Sequence, residues 1–168
     1  MKTPIAAFFA LSLTALVHAS SPWDGLDFLK GSWIAKAKGP NDVVTAGTYT
    51  FQSELDNHVM ARYSTRDGNC KAPANFDCEH GDSLFIYEDA PGQALKAIYF
   101  DNEGHVIHYD VSTPAPGVAV FLSEPSGKGP VFRLRYELHG SEMSGRFEMQ
   151  LPGRSDWKSY LEWTGPRK

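Results

Sequence analysis

From residue 31 onward the hydrophobic positions recur at every second residue. Stretches such as Tyr49-x-Phe51, Phe132-x-Leu134-x-Tyr136-x-Leu138 and Phe147-x-Met149-x-Leu151 alternate apolar with polar side chains. That is the period of a strand with one face buried. Ten such runs are predicted, over residues 32–38, 44–55, 58–66, 82–88, 94–101, 105–112, 118–122, 131–138, 143–151 and 157–164. Aromatic and β-branched residues are frequent in them, and turn chemistry separates them: Asp56-Asn57, Ala90-Pro91-Gly92, Asn102-Glu103-Gly104, Pro114-Ala115-Pro116-Gly117 and Pro152-Gly153 among others. Short connections pair each strand with the next. A meander of ten strands leaves two bare edges unless it closes. The pattern therefore predicts an all-β fold, an up-and-down antiparallel barrel, with a two-sheet sandwich as the alternative. Ser21-Pro22-Trp23-Asp24 reads as a helix start that Gly31 ends. It predicts a plug of one or two turns, with Leu26, Phe28 and Leu29 over the barrel floor.

Turn chemistry fixes faces for two hairpins. A two-residue turn at Asp56-Asn57 sets Phe51 opposite Arg62 and Ser53 opposite Met60. Tyr49, Phe51, Leu55, Met60 and Arg62 then share the more apolar face, which is placed inside. A type I turn with a glycine bulge at Asp101-Asn102-Glu103-Gly104 sets Tyr99 near Ile107 and Ala97 near Tyr109. A slip of one residue would reverse every one of these assignments. Elsewhere Trp157, Leu161 and Trp163 form one apolar set, and Arg133 and Arg135 alternate with another, on a solvated outer face.

The first residues have a different character. Met1-Lys2 is a basic start, residues 5–17 are apolar, and Val17-His18-Ala19 offers small residues at the positions a signal peptidase reads. Residues 1–19 are predicted to be a secretory signal and residues 20–168 a single β-barrel domain, periplasmic or secreted. The apolar run is short of the ~20 residues of a membrane span. The 168-residue chain carries 16 basic and 20 acidic residues. That balance opposes nucleic acid, whose binding rests on neutralising phosphates, and gives no support for membrane insertion. Cys70 and Cys78 fall in one polar loop, and in an oxidising compartment they are predicted to form a disulfide. The rival, a metal site of Cys78, Glu79 and His80, lacks the tight C-x2-C spacing of thiolate sites. No metal and no cofactor are predicted.

Leu29-Lys30-Gly31-Ser32-Trp33 behind a short helical segment, the run of antiparallel strands, a C-terminal basic residue and Tyr99-Phe100-Asp101-Asn102-Glu103-Gly104 together resemble the calycin group. Lipocalins, fatty-acid-binding proteins and bacterial lipocalin-like barrels belong to it. The resemblance implies an indole, Trp33, packed under a C-terminal arginine, Arg167. In fatty-acid-binding barrels an inward arginine anchors a carboxylate, which implies such a role for Arg62. Haem-binding relatives of these barrels carry a histidine ligand near the C-terminus, and this chain has no histidine after His139.

Candidate chemistry is sparse. No G-x-S-x-G, H-E-x-x-H or phosphate-binding glycine motif occurs. His58, His80, His108 and His139 read as surface or rim residues, and His105 and His108 fall on opposite strand faces. His105 stands out because it follows the bulge at a barrel end. An inward Arg62 needs a ligand or an internal acid. Tyr49, Phe51, Met60, Arg62, Tyr99, His105 and Tyr109 are the predicted ligand-binding residues. The leading expectation is an exported barrel that binds a small apolar or amphipathic molecule, an anionic one included. Two rivals stand beside it: an enzyme with Arg62, His105 and Tyr109 at the barrel mouth, and an envelope interaction protein with a filled barrel.

Overall fold

The computed structural model describes residues 21, 23–38, 43–65, 80–125 and 127–168. Its alternating runs become ten strands: β1 (Gly31–Lys38), β2 (Val43–Glu54), β3 (Val59–Thr65), β4 (Asp82–Glu88), β5 (Leu95–Asp101), β6 (Val106–Ala115), β7 (Val118–Ser123), β8 (Val131–His139), β9 (Glu142–Gln150) and β10 (Lys158–Pro166). Each pairs antiparallel with its sequence neighbours, and β1 pairs with β10, so the sheet closes into a barrel. Closure rules out the two-sheet sandwich. It also satisfies the edges a ten-strand meander would otherwise expose.

The barrel has a plugged end and a far end. At the plugged end a 3-10 helix (Asp24–Leu29) buries Leu26 and Leu29 completely. The Trp33 indole N–H donates to the Leu29 carbonyl at 2.7 Å. The Arg167 guanidinium lies 4.4 Å over the Trp33 ring and donates to the Lys30 carbonyl at 2.5 Å. Gly31 has a φ of 112°, and a Cβ there would meet the Arg167 guanidinium. A side chain at position 31 would displace the arginine from the indole.

The bore is filled largely by aromatic rings. Tyr136 sits edge-on to Phe51, Phe121 and Trp163 at centroid distances of 5.3, 6.1 and 5.8 Å, and Tyr109 packs on Phe121 at 6.2 Å. Quadrupole complementarity favours such T-shaped contacts. Trp163 reaches the bore because the residue opposite it on β9 is Gly145, where a Cβ would collide with the indole.

Both hairpin registers match the turn chemistry: Phe51 faces Arg62 and Met60 faces Ser53, while Tyr99 faces Ile107 and Ala97 faces Tyr109. Two assignments need correction. Leu55, expected inside, is 73% exposed. The turn takes four residues, with Leu55, Asp56 and Asn57 all at positive φ, so the strand ends at Glu54 before the alternation reaches Leu55. Trp157, expected to share a face with Leu161 and Trp163, lies outside β10 and stacks against the outward Arg133 at 4.2 Å. A register shift between Ser159 and Leu161 resets the phase of β10. Residues 1–19, Cys70 and Cys78 lie outside the described residues.

Candidate functional site at the far rim

Arg62 lies on the inner face of β3, and its side chain is only 6% exposed. A buried guanidinium needs a counter-charge, and the next strand supplies it. Asp82 opens β4 two residues before Leu84, which pairs with Arg62, so its carboxylate is on the same inner face. The Arg62 Nη2 donates to Asp82 Oδ1 in a short charge-assisted contact, and Nη1 donates to the Tyr136 hydroxyl at 2.7 Å. Ser64 Oγ donates to the same Asp82 oxygen at 2.9 Å. Burial alone would lower the Arg62 pKa. Asp82 and then Tyr136 outweigh it and hold the guanidinium charged, above its ordinary range.

Burial is also the main cause of the raised pKa of four tyrosines around this pair. Tyr136 rises to about 12, with the neighbouring Arg62 pulling the other way. Tyr49, Tyr99 and Tyr109 rise further, each first through desolvation. All four are neutral hydroxyls across the physiological range. Tyr49 Oη and Trp163 Nε1 face each other in the bore, their rings edge-on at 6.3 Å, and neither has another polar partner among the described residues.

Tyr99 carries the network to the rim. Its hydroxyl donates to Asp101 Oδ2 at 3.3 Å and lies 3.1 Å from His80 Nε2. The Asp101 side chain is 3% exposed. Its Oδ1 accepts the backbone N–H groups of Glu103 and His105 at 3.0 and 2.8 Å, and its Oδ2 meets His105 Nδ1 at 2.8 Å. Burial would raise the Asp101 pKa, but these donors together lower it below its usual value. His80 also faces Glu103 at 3.4 Å and Asp82 at 3.7 Å. A depression of about 470 Å³ opens beside this network, lined by Ser64, Gly81, Asp82, Ser83, Phe100, Asp101 and Asn102.

The seven predicted ligand residues fall in three places. Arg62, Tyr99 and His105 belong to the connected rim network. Tyr49, Phe51 and Tyr109 are buried in the ring-packed bore, and Met60 lines a smaller hollow of about 210 Å³ at the plugged end. Of the trio Arg62, His105 and Tyr109, the first and last are buried, whereas the His105 side chain is 63% exposed and hydrogen-bonds to Asp101. Sequence reasoning passed over Asp82, Asp101 and Tyr136. A signal for Asp82 was present, since it has the parity of Leu84 and Ile86 and so faces inward with them. Tyr136 had been placed in an apolar set, with no indication that it would reach Arg62 across the bore.

No family model matches this chain, and no curated protein matches it. Among solved structures it is similar to the crystal structure of Rv2717c from M. tuberculosis, at a TM-score of 0.54 and 13% sequence identity, over 90% of this chain and 99% of that one. At that identity the likeness concerns the fold alone, a closed ten-stranded antiparallel barrel consistent with the calycin-like architecture.

Proposed function

We propose that this chain is an exported β-barrel that binds a small amphipathic molecule at its far rim. The observation that carries the reading is the depression beside the Arg62–Asp82 pair, which combines carboxylates and hydroxyls with the half-exposed Phe100 ring. A few fixed polar groups beside an apolar surface are what small-molecule sites use for orientation and affinity. Asp82 already compensates Arg62, so the groups presented to the depression are carboxylates. The geometry therefore supports a ligand with a donor-rich or cationic head better than a carboxylate-bearing one. The filled bore supports a ligand seated on the rim in preference to one enclosed within the barrel.

The filled bore also favours a second reading, an interaction protein whose barrel serves only as scaffold. Native mass spectrometry of the protein purified from its own host separates the two. A stoichiometric small molecule, lost on Phe100→Ala, supports the carrier. A clean apo mass, together with no saturable binding of a short-chain alkylammonium probe, would sink it.

A further inference from the structure

His80 enters the rim just ahead of β4, while Asp101, Glu103 and His105 come from the β5–β6 turn. One ligating atom each from His80, Asp101 and Glu103 lies within 4.8 Å of the other two. His105 Nδ1 lies beside this group, 2.8 Å from Asp101 Oδ2 and 3.7 Å from Glu103 Oε2, without joining the cluster of three. Four donors bound ~2.1 Å from a tetrahedral ion are ~3.4 Å from one another. The observed separation of His80 from Glu103, 3.4 Å, matches that value, and Asp101 completes the cluster within 4.8 Å.

The charges point the same way. Arg62 is taken up by Asp82, and among the described residues no Lys or Arg pairs with Asp101 or Glu103. Among the described residues, the partners of those two carboxylates that can carry positive charge are imidazoles. Asp101 is also held as a metal ligand would be. Its Oδ1 is fixed by two backbone N–H groups, and among the described residues its Oδ2 accepts from the Tyr99 hydroxyl and the His105 imidazole. Such outer hydrogen bonds orient first-row metal ligands. The donor set, an imidazole with two carboxylates, suits a borderline divalent ion rather than calcium or magnesium, which take oxygen.

We propose that His80, Asp101 and Glu103, with His105 hydrogen-bonded to Asp101 beside them, form a binding site for a divalent cation of the zinc class at the far rim of the barrel. The site shares Asp101 with the depression, yet it stands whether or not the depression takes an organic ligand, because the ion alone is the probe. The untagged protein, stripped with EDTA and dialysed into metal-free buffer near neutral pH, is titrated calorimetrically with zinc chloride. One ion per chain is expected, with a Kd of ~10 μM or tighter. His80→Gln and Glu103→Gln each weaken it by ~10-fold or more, and millimolar calcium fails to displace it. Glu103 is exposed, so its variant folds and decides the matter even where His80→Gln does not. Cobalt substitution adds a visible absorption that reports the same ligands. No saturable binding, or an affinity that Glu103→Gln leaves within about twofold, overturns the proposal.

Discussion

Asp82→Ala is expected to be the most damaging single change at the rim. The Arg62 side chain is 6% exposed, and Asp82 is its only acidic partner among the described residues. Without that carboxylate the guanidinium keeps one neutral partner, the Tyr136 hydroxyl at 2.7 Å, and its Nε already has none. Leaving a buried charge uncompensated costs about 3–5 kcal/mol. For a chain of this size that corresponds to a fall in Tm of roughly 6–20 °C. Arg62→Met is milder, at about 1–3 kcal/mol, because Asp82 keeps the Ser64 hydroxyl and reaches water at the rim. The double variant removes both charges and takes from the Tyr136 and Ser64 hydroxyls the partners they have here, so it costs about 1–3 kcal/mol, below the sum of the singles. The coupling energy is then at least ~1 kcal/mol. Urea unfolding followed by tryptophan fluorescence near neutral pH reads all four corners of the cycle. Asp82→Asn replaces Asp82→Ala if the latter does not fold, with a smaller loss expected. A cost below ~1 kcal/mol for Asp82→Ala, or single-variant losses that simply add, would refute the assignment of Asp82 as the counter-charge.

Two further outcomes test the packing and the electrostatics. Gly145→Ala drives a methyl into the Trp163 indole and should cost about 1–3 kcal/mol. Adding Trp163→Phe should return part of that loss, and an unchanged melting temperature for Gly145→Ala would contradict the packing. Asp101 has a folded-state pKa below its usual 3.8, so its contribution is complete above that value and fades as pH falls through the lower folded-state value. The stability gap between the native chain and Asp101→Asn, measured by urea midpoint in EDTA, should therefore narrow below about pH 4. A gap that stays constant down to pH 3 would argue against it.

The barrel was legible because its strands are short, their alternation is regular and their turns carry specific residues. Period two with frequent turns leaves few alternatives once edge strands must be satisfied. Strand ends were less legible. Leu55 has a strand-like sequence context, yet three consecutive residues at positive φ take it into the turn. The bulge in β10 left no mark that alternation detects, and Trp157 was misplaced as a result. At the site, parity shows which residues face inward, and it placed Arg62 and Tyr99 on inner faces. Parity does not say which inward residues meet across the bore, so the Tyr136 hydroxyl on Arg62 was hidden in an apolar run. The partners of His80 were hidden for another reason. His80 sits beside Cys78 in sequence, and its observed partners Tyr99 and Glu103 come from a different hairpin.

The seam between β1 and β10 makes formation of β10 a condition of closing the sheet. Lys36 and Ala37 pair with Thr164 and Trp163, and the Arg167 side chain reaches back to the Lys30 carbonyl across 137 residues. A nascent chain that stops before β10 is an open sheet, with β1 and β9 each presenting a row of unanswered N–H and C=O groups. Pairing this distant in sequence forms late, so those two rows stay available to other chains for as long as synthesis continues. The hazard of aggregation thus belongs to the unfinished polypeptide, and the last nine-residue strand removes both adhesive edges in one step.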